Sequence, residues 1–186
     1  GIELPTLPWP LDTPFKEEDV DDSTIQTTNS SKEYALSMWL RFELDENCNQ
    51  ELIRLCTTKF SNIGLIIKFT CRSATSAILL LEAAHSPQSH SRVAQTLELP
   101  LPHFQSKTWH HLHLEARGKP RLSLFGRDEL SVWFDGDVLT ERTSFLFPCF
   151  IPGGKLDDCV LGPGFKGQFG QIAIFTEIYA ALPLRN

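Results

Sequence analysis

The sequence lacks several features that would assign it to a well-known functional class. No apolar run approaches the roughly 20 residues that a membrane-spanning helix requires, so we expect no direct membrane insertion. Lys and Arg total 17 against 23 Asp and Glu, and the resulting net charge of -6 disfavours a nucleic-acid partner. The start of the chain has no basic region followed by an apolar one, so we expect no signal peptide.

Cysteine pairs of the kind that hold metals or build disulfide scaffolds are also missing. The count of 5 is odd, and no Cys-x-x-Cys spacing occurs, whereas zinc sites show close pairs and disulfide scaffolds an even number. Cys56 and Cys71 lie in apolar stretches and are interpreted as small core residues. We therefore expect reduced thiols and a cytoplasmic location. Asn29-Ser30-Ser31 matches the acceptor pattern for N-glycosylation, which is found in secreted proteins.

The composition divides the chain into two regions. Residues 1–22 contain four prolines, one tryptophan and the acidic run Glu17–Asp22. Proline removes amide donors and neighbouring carboxylates repel one another, so we expect an extended, proline-rich acidic lead-in. Residues 23–186 alternate short apolar segments with turns, which predicts a single β-sandwich domain.

Alternation of apolar and polar residues predicts the strands. In Tyr34–Leu44 the apolar residues fall on even positions, as in a sheet with one buried face. Ala77–Ala83 fits a buried strand or a helix, and its β neighbours favour the strand. Asp135-Gly136 is a strong turn signal, and 178–182 is compatible with one helical turn. The other predicted strands are 52–55, 64–70, 93–99 (ended by Pro100 and Pro102), 109–115, 121–125, 129–134, 138–139, 159–161 and 165–175. So many short strands predict an all-β fold with two antiparallel sheets packed as a jelly-roll sandwich.

The glycine-rich closing segment makes a sharper prediction. Phe165 and Phe169 share one parity, whereas Ile172 and Ile174 share the other. Side chains alternate between the two faces of a regular strand, so both pairs can reach the core only if the parity changes. We therefore expect a β-bulge near Gly170.

Three pieces in order carry a family resemblance: Tyr34–Phe42, Trp109–Leu114 followed by Leu130–Gly136, and Phe165–Phe175. Together they resemble the concanavalin A-like, laminin-G-like sandwich. The closing strand is similar to that of the concanavalin A-like domain in the large BEACH-domain scaffold proteins, the neurobeachin and lysosomal-trafficking-regulator type. The segment 121–127 departs from the simplest spacing of such domains.

The resemblance implies a non-enzymatic interaction module of a large cytosolic scaffold with a role in membrane trafficking or autophagy. Its partners would be proteins or neighbouring domains of the same chain, at a cytoplasmic location peripheral to intracellular membranes. The alternative is a lectin-like module that binds a glycan. Calcium would then be an optional ligand, because Asp45, Asn47, Asp157 and Asp158 supply the oxygen ligands it prefers.

The carboxylates do not form a hydrolase motif. Glu43-Leu-Asp45-Glu46 imitates the start of a Glu-x-Asp-x-Glu triplet, but Asn47 and Cys48 follow. Glu17, Asp19 and Asp21 have alternate spacing but lie in the proline-rich lead-in without flanking strands. Retaining glycosidases need two facing carboxyl groups, so we expect no enzyme, no catalytic residues and no cofactor.

Histidine and tryptophan supply the remaining candidates. His111 and His113 share one strand face with Glu115, a spacing that zinc can use, but no clear further ligand is present. Surface or hydrogen-bonded histidines are therefore favoured, with His110 pointing inward to a hydrogen-bond partner. Trp39 and Trp133 fall on the parity opposite their apolar neighbours. Each is either covered by a loop or marks a partner surface.

Overall fold

The computed structural model describes residues 2–3, 33–43, 48–57, 63–84, 95–118, 128–145 and 158–175. Within those ranges every regular element is a β-strand, and no helix is long and apolar enough to cross a membrane. The strands are β1 (Ile2–Glu3), β2 (Glu33–Phe42), β3 (Cys48–Thr57), β4 (Ile63–Ser73), β5 (Ser76–Ala84), β6 (Gln95–Leu101), β7 (Trp109–Arg117), β8 (Glu129–Phe134), β9 (Asp137–Ser144), β10 (Asp158–Leu161) and β11 (Gly167–Phe175).

Two antiparallel sheets form the sandwich that the sequence predicts. Sheet A has six strands in the order β1-β10-β3-β4-β5-β6, and sheet B has five in the order β11-β2-β7-β8-β9. Every strand pair is antiparallel. The all-β jelly-roll class is therefore confirmed.

The core lies between the sheets and receives alternate residues from each strand. Met38 of β2, Ile67 of β4 and Val132 of β8 are all fully buried. Phe42 of sheet B stacks on Phe69 of sheet A with ring centroids 4.0 Å apart. Burying side chains of this size contributes about 1.5–3 kcal/mol each, which makes this layer the main source of stability.

Cys56 and Cys71 are both buried, as the sequence predicts. Burial raises the pKa of the Cys56 thiol to about 12, since the low-dielectric surroundings disfavour the thiolate. Cys48, Cys56, Cys71 and Cys159 are not joined in disulfides, and Cys149 lies outside the described residues.

Most of the predicted strands are present, with some different boundaries. Ala77–Ala83 is part of strand β5, so the strand interpretation is confirmed over the helix. The prediction that Pro100 ends its strand is wrong, because β6 continues to Leu101 with Pro100 opposite Ile78. β6 is an edge strand, where proline is tolerated because one side of the strand has no ladder partner. Positions 93–94, 121–125 and 178–182 lie outside the described residues.

The bulge predicted near Gly170 is confirmed. Phe169 pairs with Leu40 and Ile172 with Met38, so the register shifts between Phe169 and Ile172. Phe169 and Ile172 both pack against the core on either side of this shift. Ile174 follows the same parity as Ile172 but is 38% exposed.

Part of the predicted lead-in belongs to sheet A. Ile2 pairs with Leu161 and Glu3 with Val160, so β1 extends the sheet beyond β10. Residues 4–32 lie outside the described part of the chain, and the division at residue 22 stays a prediction.

Candidate binding face

A row of aromatic rings crosses the outer face of sheet B. Even-numbered residues of β2 and β7 are buried, so the odd-numbered ones face away from the core. Ring centroids are 4.9 Å apart for Trp39 and His111, 6.3 Å for His111 and His113, and 5.3 Å for His113 and Trp133. We call this set, together with the neighbouring Trp109, the aromatic face.

The tryptophans at one end of this face are accessible. Trp39 is 43% exposed and Trp109 is 45% exposed, whereas Trp133 is half-buried. A Cβ atom at Gly170 would lie 2.8 Å from Trp39 Cβ and 3.3 Å from the Trp109 ring. Glycine at the bulge therefore lets both tryptophans approach the backbone of β11.

The two histidines of the face have different partners. His111 Nε2 lies 2.8 Å from Ser37 Oγ, and His113 Nε2 lies 3.3 Å from Glu115 Oε1. Partial burial lowers the pKa of His111, and the neighbouring His113 lowers it further by repulsion between like charges. Near neutral pH His111 is therefore an uncharged ring that can exchange hydrogen bonds with hydroxyl groups.

His110 lies beneath the face and points inward, as the sequence predicts. It is 3% exposed, and its Nδ1 lies 2.6 Å from Asp135 Oδ2. Nε2 lies 2.8 Å from the carbonyl oxygen of Gln105. The His111 backbone N–H donates to Asp135 Oδ1 at 2.7 Å, so one carboxylate holds successive residues of β7. Asp135 has φ of 52° and precedes Gly136 in the predicted turn.

A charged pocket of about 200 Å³ continues the aromatic face at its other end. Arg117 Nη2 is 3.6 Å from Glu115 Oε2, and Arg142 Nε is 3.7 Å from Glu129 Oε2. These separations exceed hydrogen-bond distances, and Arg117 Nε has no hydrogen-bond partner among the described residues. The pocket is lined by Glu115, Arg117, Glu129, Ser131, Trp133, Glu141 and Arg142.

The histidines do not assemble a metal site with other described residues. His111 and His113 face the same side as Glu115, as predicted, but their Nε2 atoms contact Ser37 and Glu115 respectively. In the described ranges no group of three or more His, Cys, Asp or Glu side chains is arranged to hold a metal ion.

The calcium and carboxylate candidates do not converge in the described ranges. Asp158 lies 3.6 Å from Arg54 Nη1, and Glu43 forms an ion pair with Arg41 at 3.2 Å. The remaining candidates, Asp45, Glu46, Asn47, Asp157, Glu17, Asp19 and Asp21, lie outside the described residues.

The charged pocket is not among the sites predicted from the sequence. Arg117 continues the odd-numbered series of β7 beyond Glu115, so alternation along β7 is a signal that places Arg117 on the outer face. Glu129 pairs directly with Arg117 across the β7–β8 ladder. The Asp135-Gly136 turn places Arg142 on the adjacent strand β9, but the register shifts between β8 and β9 hide its position from the sequence.

No protein-family model and no curated protein matches the chain. Among solved structures, it is similar to the native heptameric SAP-like pentraxin of Limulus polyphemus, with 12% identity and a TM-score of 0.49. This match covers 81% of the chain and 66% of the pentraxin, just under two thirds of that protein's length. Sheep galectin-11 in complex with glycerol matches with 12% identity and a TM-score of 0.45, covering 77% of this chain and 90% of the galectin.

The CBM40 of Ruminococcus gnavus IT-sialidase, bound to α2,3-sialyllactose, matches with 13% identity and a TM-score of 0.48. That match covers 83% of this chain and 81% of the CBM40 chain. None of these three proteins is a BEACH-domain scaffold, so the finer family resemblance stays a prediction. At these identities and TM-scores the similarities carry no functional inference.

Proposed function

We propose that this chain is a non-enzymatic binding module whose ligand is a glycan held on the aromatic face. The observation that carries the proposal is the row of rings from Trp39 through His111 and His113 to Trp133. Large accessible aromatic side chains on one face are a common anchor for a binding partner. Function would then reside on the outer face of sheet B, with sheet A as its support.

The chemistry of the face suits a sugar better than a purely apolar ligand. A sugar ring presents C–H bonds on one side, and these are attracted to the negative face of an indole ring. Its hydroxyl groups need hydrogen-bond partners, which the uncharged His111 and Ser37 can supply beside Trp39. These two groups already hydrogen-bond to each other at 2.8 Å, but a purely apolar ligand would leave their remaining donor and acceptor capacity unused.

The charged pocket supplies further hydrogen bonds at the end of the row. Its volume of about 200 Å³ is smaller than the roughly 300–1,000 Å³ that encloses a drug-sized ligand, so it suits one terminal group. Arg117 and Glu115 are loosely paired and can both turn toward ligand hydroxyls. We expect the aromatic row to provide most of the affinity and the pocket to select the terminal sugar.

The same pocket does not favour hydrolysis. A retaining glycosidase uses two carboxyl groups about 5 Å apart, and one of them must be held as an acid in apolar surroundings. Glu115 and Glu129 each lie within 4 Å of an arginine, at 3.6 and 3.7 Å. Neither has the apolar surroundings of a general acid, which supports a binding role without catalysis.

A glycan array, run with and without a calcium chelator, tests the proposal. We expect binding that survives chelation, because the aromatic face offers rings, hydroxyls and guanidinium groups and needs no cation. Trp39→Ala should lower the affinity about tenfold or more, while Arg72→Ala on the opposite sheet should leave it unchanged. Absence of glycan binding would refute the proposal. Loss of binding on chelation would move the site to Asp45, Asn47, Asp157 and Asp158.

Docking of a protein is the second candidate, and one observation favours it. Ile174 and Phe175 are 38% and 48% exposed at the end of the edge strand β11. Exposed apolar side chains of this kind would suit contact with a neighbouring domain, which the resemblance to a BEACH-domain scaffold implies. If a longer chain continues into a BEACH domain, Phe175→Asp in this module should weaken the binding between the module and that BEACH domain about tenfold in calorimetric titration. Trp133→Ala should have no such effect, and equal losses would count against docking at β11.

A further inference from the structure

Cys48 and Cys71 lie directly opposite each other on strands β3 and β4. Opposed residues of an antiparallel pair point to the same side of the sheet, and here this side is the core. Cys71 is 2% exposed, and the partly buried Cys48 packs against the same cluster. We propose that these two thiols are a site of reversible oxidation, at which a small disulfide such as glutathione disulfide introduces a cross-strand bond. This inference is independent of the proposed ligand.

The backbone spacing permits the bond. Opposed residues in an antiparallel ladder have Cα atoms about 4.5 or 5.5 Å apart, and both distances fall within the roughly 4.4–6.8 Å that disulfides span. Their Cβ atoms are about 4.5–5.5 Å apart, against about 3.5–4.5 Å in a disulfide. The strands must therefore approach each other by at most about 1 Å. A bond formed under such tension is readily reduced again.

The location of the pair makes this approach easy. Cys48 is the first residue of β3, so only the residues that follow it in the chain hold its backbone in the ladder. The β3–β4 register shifts between Glu51 and Ile53, and the β4–β5 register shifts between Cys71 and Ser73. Bulges and strand ends move at lower cost than the regular ladder between them. The Cys71 thiol donates to the Ser73 carbonyl at 3.0 Å, and this one hydrogen bond is lost when the disulfide forms.

The chemistry takes two exchanges. The thiolate of the partly exposed Cys48 attacks one sulfur of glutathione disulfide, which breaks the S–S bond and releases a glutathione thiolate. The Cys71 thiolate then attacks the Cys48 sulfur and releases the second glutathione thiolate. The two protons lost by the protein pass to these thiolates. Two protein thiols are thus oxidised by two electrons, and one glutathione disulfide is reduced to two glutathione molecules.

Cys56 and Cys159 provide an internal control. They lie on neighbouring strands, but Cys56 pairs with Asp158 and Cys159 pairs with Leu55. This offset by one residue places their side chains on opposite faces of sheet A. Burial also raises the pKa of Cys56 to about 12, so its thiolate is scarce at neutral pH. If closeness on neighbouring strands were sufficient, oxidation would link Cys56 to Cys159. If the two residues must lie directly opposite each other, oxidation links Cys48 to Cys71.

Trypsin separates every cysteine of the chain, which makes the test direct. Cys48 falls on peptide 42–54, Cys71 on 69–72, Cys56 on 55–59, Cys149 on 143–155 and Cys159 on 156–166. The folded chain is treated with glutathione disulfide, remaining thiols are blocked before unfolding, and the digest is examined by mass spectrometry without reduction. We expect peptides 42–54 and 69–72 to be linked, with loss of two hydrogen atoms and reversal by dithiothreitol.

Each other result counts against the proposal. A glutathione adduct that stays on 42–54 while Cys71 remains a thiol would show that the pair cannot close. A dominant link between 55–59 and 156–166, or no reaction, would refute it equally. Cys48→Ser should abolish the link and leave Cys71 unmodified. Because the unmodified chain carries the primary measurement, the test stands even if that variant folds poorly.

Discussion

Replacing Asp135 by alanine should destabilise this fold more than its partly exposed position suggests. The Asp135 carboxylate contacts the buried His110 ring at 2.6 Å and accepts the His111 N–H at 2.7 Å. His110 is 3% exposed, so water cannot easily replace the lost partner at Nδ1. The residue also has φ of 52°, a left-handed conformation that Asp tolerates better than Ala.

The magnitude follows from these three contributions. Leaving the buried His110 nitrogen without a partner costs about 1–3 kcal/mol, and the lost bond to His111 about 0.5–1.5 kcal/mol. A left-handed alanine adds on the order of 1 kcal/mol. Asp135 is 37% exposed at its side chain, so the lower half of the range applies and Asp135→Ala should cost about 3 kcal/mol. Asp135→Asn keeps the left-handed preference and an acceptor for His111, and should cost about 1 kcal/mol.

Urea unfolding of both variants measures these values as changes in free energy at constant slope. His110→Phe supplies the matched background, because the ring stacks between Phe104 and Phe134 and an apolar ring needs no carboxylate. In that background Asp135→Ala should cost about 1–2 kcal/mol less, since no buried nitrogen is left unpaired. A cost equal in both backgrounds, or an Asp135→Ala effect below about 0.5 kcal/mol, would refute the reasoning.

Three further predictions concern pH, the bulge and the thiol pair. The pKa of His111 in the folded chain is lowered from its ordinary 6.5. Its contribution to the free energy of unfolding is therefore complete above pH 6.5 and declines as the pH falls from there through the lowered pKa. His111→Asn should remove this part of the slope in thermal unfolding measured across pH. Gly170→Ala should shift tryptophan fluorescence, because the new Cβ meets an indole-bearing residue at 2.8 Å. Gly164→Ala strains a backbone with φ of 73° but brings no atom within 4 Å of the new Cβ, so it should not shift the fluorescence. Oxidation of Cys48 with Cys71 should stabilise the chain in urea unfolding by less than the roughly 3 kcal/mol of an unstrained bridge, because the strands must approach each other, and Cys48→Ser should abolish the gain.

Strand prediction from sequence succeeds where alternation is regular and ends at a clear turn. β8 covers the predicted Glu129–Phe134 because the turn-forming pair Asp135-Gly136 ends the strand. β3 is far longer than the predicted 52–55, since its first half carries Asn49, Gln50 and Glu51. The register shift between Glu51 and Ile53 lets Leu52 and Ile53 both be fully buried, which breaks the alternation that prediction relies on.

The candidate site was predictable only in part, for a related reason. Parity alone places Trp39, His111, His113 and Trp133 away from the core, because alternation is a local property of each strand. Whether those rings meet depends on cross-strand register. Trp39 opposes His111, and His113 opposes Trp133. Alternation within each strand does not show which residues of two strands lie opposite each other, so these pairings could not be predicted from it. The charged pocket also depends on the position of β9, so it could not be predicted from alternation along β7 and β8.

Asp135 links the core to the aromatic face, and this affects how binding variants are interpreted. Its carboxylate holds the inward-pointing His110 ring and the backbone of the outward-facing His111 at once. A substitution there disturbs packing beneath the face and the position of His111 within it, even if Asp135 never touches a ligand. Loss of glycan binding in Asp135→Ala would therefore say little about contact. Trp39→Ala removes a 43% exposed ring without altering that carboxylate, so it is the variant that tests the face itself.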